Sequence, residues 1–218
     1  MDWKQRHRQA IERYRDGQRR LPGIGDPDQR QRQLTRLGNA AWAVGLCLLM
    51  EGRRGEAAEW LRRAAARYRE SWPDAPPGSW GRPIGATKAL LLAGEDAEEA
   101  ARWALEAGAA EASSPIGRYA AVLALLVLRR DGEAHALAAG LAGRDDFPAD
   151  VASALAALAA GDGPAYAAAV EEVLRSFETR EAFLEDTPVA DTVLVLERLA
   201  AERGLASGLR PSELLPPT

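Results

Sequence analysis

The chain has 218 residues and a net charge of −4, from 28 Lys/Arg against 32 Asp/Glu; 47% of it is apolar, with only 6% aromatic. This length is enough to bury a substantial core within one domain or one continuous repeat array, and the alanine-rich composition, poor in β-branched residues, favours helices over a sheet. A lone Cys47 excludes an intrachain disulfide framework or thiolate metal site, so a reduced, cytoplasmic setting is expected.

The N-terminal residues Met1-Asp2-Trp3-Lys4-Gln5-Arg6 are too charged for a signal peptide. Asp2 can cap a first helix running to about Arg20, which Leu21-Pro22-Gly23-Ile24-Gly25 ends. Asp26-Pro27 places a capping residue before proline at the first helical position, and the second helix runs from there to about Glu51, stopping at Gly52. A third helix spans about 55–71. Trp72-Pro73-Asp74-Ala75-Pro76-Pro77-Gly78-Ser79 is the clearest break. Further helices are expected at about 80–93, 95–108, 115–130, 132–141, 148–160, 163–178 and 188–203, with an extended tail over 204–218. The longest apolar stretches, Ala40–Met50 and Tyr119–Leu128, fall short of the roughly 20 residues a membrane span needs and read as buried core helices.

The breaks are short, which makes neighbouring helices antiparallel, and they recur. Gly55-Glu56-Ala57, Gly94-Glu95-Asp96-Ala97, Gly132-Glu133-Ala134 and Gly163-Pro164-Ala165 each open the second helix of a hairpin, with alanines 40, 37 and 31 residues apart. Arg82-Pro83-Ile84-Gly85-Ala86 is echoed 32 residues later by Ser114-Pro115-Ile116-Gly117-Arg118. In both, proline starts a helix and the glycine admits a close neighbour. A period in this range indicates a repeat architecture.

On these residues the chain resembles the tetratricopeptide-type helical repeats. The best unit is Asn39–Trp72, where Gly45, Gly52, Ala57, Leu61 and Ala64 fall at the family's small and large packing positions. The resemblance covers about 34–178. Later units lack most of these residues, and the spacing wanders around 34. It implies stacked antiparallel hairpins, a curved α-solenoid, and a protein- or peptide-binding role. A second resemblance covers about a quarter of the chain. Tyr166-Ala167-Ala168-Ala169-Val170, Phe177, Val189-Ala190-Asp191-Thr192-Val193-Leu194, Leu199-Ala200-Ala201-Glu202-Arg203-Gly204-Leu205 and Leu214-Leu215-Pro216 follow the order of the C-terminal part of some helical bacterial polymorphic-toxin immunity proteins. It implies an inhibitor that covers a toxin's active site.

Catalytic patterns are missing: no HExxH, CxxC, EF-hand spacing, Walker loop or nucleophile elbow occurs, and Gly23-Ile24-Gly25 is a helix stop, not a dinucleotide turn. His7, in an Arg-rich helix, and His135, near a hairpin turn, read as exposed or boundary residues. No metal, no cofactor and no catalytic residue is assigned. The acidic cluster from Glu95 to Glu99 suits a helix N-terminus. The segment around Glu178, Arg180, Glu181 and Asp186 carries the enzyme alternative, which requires a deep pocket with shifted carboxylates.

Charge is uneven: residues 1–72 carry 16 Lys/Arg and 9 Asp/Glu, the remainder 12 and 23. The halves can attract each other along a solenoid or across a homodimer. Arg53, Arg54, Arg62, Arg63, Arg67 and Arg69 are the nucleic-acid candidates. Glu59 is expected to pair with Arg63, and Trp60, Ala64, Tyr68 and Trp72 fall on one helix face as a buried stripe, so a solvated helix face is favoured over nucleic acid.

The expected fold is thus all-α: stacked antiparallel helical hairpins in one domain, with a compact helical bundle as alternative. A basic N-terminal helix occupies 1–25, about four hairpins occupy 26–178, and a capping helix with an extended tail occupies 187–218. The expected partner is a protein or peptide of acidic character, with no membrane role. The repeat alignment places Asn39, Trp42, Trp80, Arg82, Lys88, Arg118 and Tyr119 along one concave side, where guanidinium groups would grip carboxylates. Pairing of Arg82 and Arg118 with acidic side chains beyond residue 95 is the competing reading.

Overall fold

A computed structural model describes residues 1–217. It is all-α, with ten α-helices and no strand among the described residues. The chain divides into two compact units: one comprises Met1–Glu95 with Glu181–Val189 and the residues from Leu215 on, the other Asp96–Arg180 with Ala190–Leu214.

The first unit holds α1 (Trp3–Arg20), α2 (Pro27–Met50), α3 (Arg54–Glu70) and α4 (Gly81–Ala93), each packed on its chain neighbour. The expected caps form. The Asp2 and Asp26 carboxylates accept from the Gln5 and Gln29 amides at 2.9 and 2.8 Å. Glycine sets the helix spacing. A Cβ on Gly45 would lie 2.6 Å from Leu61 Cγ, and one on Gly38 or Gly85 would lie 2.7 Å from the Tyr68 ring. Tyr68 is thereby clamped between α2 and α4, and its hydroxyl donates to Asn39 Oδ1 at 2.9 Å. Close backbone approach lets a large ring fill the gap with no void, which is how cores reach crystal-like density.

The second unit holds α5 (Glu98–Glu106), α6 (Pro115–Val127), α7 (Asp131–Ala142), α8 (Ala149–Ala160), α9 (Gly163–Glu178) and α10 (Asp191–Ala201). α5 to α9 pack serially, and α10 lies on α8 and α9. Ser114 and Asp162 cap α6 and α9 through the Gly117 and Ala165 amides, while left-handed Gly161 (φ +69°) ends α8. Of the recurring alanines, Ala57, Ala97 and Ala134 are buried, but Ala165 is exposed and the neighbouring Tyr166 enters the core instead. The ends of three helices fall short of expectation: 115–130 stops at Val127, 95–108 is Glu98–Glu106 and 188–203 is Asp191–Ala201.

The tail after α10 is non-helical yet pinned. The Arg210 guanidinium reaches Glu171 and Glu178 at 2.9 and 3.0 Å, and Ser207 donates to Glu197 Oε2 at 2.6 Å. Tyr166 donates to the other oxygen of Glu197 at 2.7 Å. No helix among the described residues is long and apolar enough to cross a membrane.

These contacts have opposite consequences at two glycines. Gly85→Ala should destabilise the protein by about 2–3 kcal/mol, because the trapped Tyr68 ring cannot yield. Gly140→Ala in α7, where the new Cβ would meet Arg118 at an ordinary 3.8 Å, should stabilise by about 0.5–1 kcal/mol. Urea midpoints at unchanged slope check both signs. Cys47 is fully buried, and burial pushes its thiol up to about 11. At pH 8 its thiolate fraction is on the order of one in a thousand. Thiol reagents should label it at the unfolding rate; rapid labelling of native protein would contradict that burial.

Candidate functional site

The site residues read from the sequence fall in both units. Asn39, Trp42, Trp80, Arg82 and Lys88 belong to the first, Arg118 and Tyr119 to the second. In the first, Lys88 Nζ lies 5.7 Å from the Trp42 ring centroid, and both residues are buried. Trp80 tilts against Trp72, with ring centroids 6.2 Å apart. Arg82 is 9% exposed; it donates to Ser71 Oγ at 2.9 Å and to Gln31 Oε1. That pairing corrects both sequence-based readings of Arg82, since its guanidinium neither faces an open groove nor pairs with a carboxylate beyond residue 95. Burial without a carboxylate pulls this guanidinium below its usual range. In the second unit, Arg118 Nε donates to the Ala112 carbonyl at 3.2 Å, and the buried Tyr119 ring lies 5.6 Å from Phe147.

His7 is a boundary residue rather than a fully exposed one, with Nδ1 3.3 Å from Glu51 Oε1, because α1 lays it against the end of α2. Other expectations are corrected. Arg63 stacks 4.6 Å from the Trp60 centroid and makes no pair with Glu59. Of the aromatic stripe, Tyr68 is buried whereas Trp60 and Trp72 are half-buried. His135 is exposed, as expected, with Nδ1 3.1 Å from the Ala156 carbonyl. In the acidic segment, Arg210 and then Ser212 hold the Glu178 carboxyl below the usual range, the direction of an ion pair and the opposite of a general acid. Arg180 lies over the Phe177 ring at 3.7 Å. No group of His, Cys, Asp and Glu able to hold a metal occurs among the described residues.

One concavity of the first unit was not read from the sequence. It is a cleft of about 350 Å³ in the first unit, lined by Arg13, Asp16, Gly17 and Arg20 of α1, Gln33, Arg36, Leu37 and Ala40 of α2, and Glu185. Each wall is one helical face, since both sets of four are spaced i, i+3, i+4, i+7. Gly17 makes the two walls meet at the floor. A Cβ there would lie 2.7 Å from Gln33 Nε2 and 3.0 Å from Leu37 Cδ2. Without one, the Gln33 amide donates to the Gly17 carbonyl at 3.0 Å.

The cleft holds three guanidinium groups and two carboxylates. Asp16 pairs with Arg19 and Arg20 of its own helix. Arg13 Nε meets Glu185 Oε2 at 3.2 Å. Arg36 is exposed and makes no ion pair or hydrogen bond among the described residues. The unbalanced positive charge of the cleft therefore sits on Arg36, and a planar guanidinium suits bidentate capture of a carboxylate or phosphate.

Glu185 arrives on a short 3₁₀ turn, Leu184–Asp186, packed against α2. Glu185 and Asp186 have φ of +54° and +52°, left-handed values that cost non-glycine residues roughly 1–2 kcal/mol each. Two arginines of α1 hold this backbone: Arg6 donates to the Asp186 carbonyl, and Arg13 Nη2 donates to the Glu185 carbonyl at 3.4 Å.

Comparison with protein-family models, curated proteins and solved structures gives no match. The site rests on its own geometry.

Gly17→Ala should cost about 1–2 kcal/mol. The displaced Gln33 loses a buried hydrogen bond, and the gain in helix propensity offsets only part of that loss. Chemical denaturation checks the magnitude. An unchanged or raised midpoint would mean that α1 and α2 do not meet at this residue.

Proposed function

We propose that the chain is a non-catalytic binding protein of the helical-repeat kind, and that its α1–α2 cleft takes an acidic side chain from a protein or peptide partner. The observation that carries this reading is the charge imbalance of the cleft, with Arg36 left open beside Arg13 and Arg20. The cleft volume, near the lower end of ligand pockets at roughly 300–1,000 Å³, suits one or two side chains better than a large cofactor. Serial packing of antiparallel helices in each unit agrees with a repeat scaffold. The expected partner stays the acidic protein or peptide read from the repeat resemblance and its aligned basic residues. Its contact surface moves from Arg82 and Lys88, which are buried, to the arginines of α1 and α2.

The partner's carboxylate would complete the Arg36 guanidinium, while the aliphatic stems of the arginines cover its methylene groups. Because the walls are partly exposed, affinity should be modest and should fall with salt.

A fluorescein-labelled Glu-Leu-Glu-Asp-Glu peptide should bind the whole chain, and its Gln-Leu-Gln-Asn-Gln counterpart should not. Arg36→Glu should weaken binding about tenfold or more, because it sets like charges against each other. Fluorescence anisotropy at two salt concentrations measures this. Equal binding of both peptides, or indifference to Arg36→Glu, would sink the proposal.

A further inference from the structure

We infer that Glu181–Val189 is an internal occupant of the cleft: Glu185 holds the Arg13 side of it, and a partner that engages Arg13 as well as the open Arg36 must lift Glu185 away. This inference rests on the acidic-partner reading of the same cleft.

Four observations lead to it. First, Glu185 lines the cleft and forms its ion pair with Arg13 there, as an acidic ligand would. Second, the turn is fastened by polar contacts to α1 more than by its own burial. Leu184 at its tip is 56% exposed, while Arg6 and Arg13 hold the backbone carbonyls of Asp186 and Glu185. Third, both of those residues are left-handed although neither is glycine, so release relaxes a backbone that docking constrains. Fourth, the segment ends in a fixed anchor. Thr187, Pro188 and Val189 are buried, and the Val189 amide donates to the Thr187 carbonyl at 2.9 Å; the bond from Thr187 Oγ1 to the Glu185 carbonyl, 3.1 Å, joins this anchor to the turn. The turn can therefore leave the cleft while its C-terminal side stays in place.

The sequence of the turn also describes what displaces it. Leu184-Glu185-Asp186 presents one carboxylate, that of Glu185, to Arg13. A segment that displaces the turn is accordingly an acidic peptide that presents a carboxylate to Arg13. Such a segment must satisfy Arg36, which Glu185 does not reach, and thereby outcompetes the internal copy. An intramolecular placeholder reduces apparent affinity by the fraction of molecules in which it is docked.

The test uses the whole chain and the labelled Glu-Leu-Glu-Asp-Glu peptide. Glu185→Gln removes the competing charge, and Arg6→Gln loosens the turn from outside the cleft. Each should tighten peptide binding about five- to tenfold. The second variant is the sharper, because loss of a positive charge by itself would weaken binding of an acidic peptide. Amide hydrogen exchange over 181–186 should quicken when wild-type protein is saturated with peptide. Binding that responds to Arg36→Glu but is unchanged or weakened by both Glu185→Gln and Arg6→Gln would overturn the placeholder while leaving the cleft reading intact. Failure of every variant, Glu185→Gln included, to bind the peptide would overturn both.

Discussion

The close approach of α1 and α2 at Gly17 is the constraint on which the candidate site depends. One absent methyl group lets the Gln33 amide reach the Gly17 carbonyl and lets Leu37 seat against the first helix. Once the helices touch there, helical geometry does the rest. Residues three, four and seven positions along each helix must line the same groove, so Arg13 and Arg20 face Arg36 across a shared floor. Like charges brought together in this way repel unless carboxylates intervene, and Asp16 and Glu185 do intervene. The cleft is thus neutralised in part from its own helix and in part by a segment distant in sequence.

The two units reach the same helical end by different packing. The first uses glycine against large rings and branched chains, as at Gly38, Gly85 and Tyr68 or at Gly45 and Leu61. The second is packed largely by alanine and leucine, with Ala134, Ala138, Ala152 and Leu155 fully buried. Their charges differ as well. Of the chain's 28 basic and 32 acidic residues, the first unit holds 18 and 14 and the second 10 and 18. The first unit would be more basic still without Glu181, Glu185 and Asp186, which come from the acidic half of the sequence. That segment meets α1 through the Arg13–Glu185 ion pair and the hydrogen bond from Arg6 to the Asp186 carbonyl.

Much of the fold was legible because its signals are local. Asp26-Pro27, Ser114-Pro115 and Asp162 mark helix starts by side-chain capping, and Gly94 and Gly161 mark ends by adopting φ values that side chains resist. The cleft was not legible, because it depends on which face of α1 meets which face of α2. The signal was present, with Gly17 amid a run of arginines and matching spacings in both helices, but a stretch such as Arg13 to Arg20 reads equally as a solvated face. Arg82 misled for the converse reason. Its position in the repeat points to a groove, yet Gln31 and Ser71, 51 and 11 residues away, supply buried acceptors that draw it inward. The left-handed pair Glu185 and Asp186 carries no glycine or asparagine to announce it, so the segment read as an acidic pocket.

The most direct measurement of the central claim is the side-chain Nε–Hε NMR spectrum of the arginines during titration with the Glu-Leu-Glu-Asp-Glu peptide. The account predicts that Arg13, Arg20 and Arg36 shift together and saturate, while Arg53, Arg130 and Arg210, already paired with their own carboxylates, stay in place. Uniform small shifts across all exposed arginines, or movement confined to arginines outside the cleft, would contradict it.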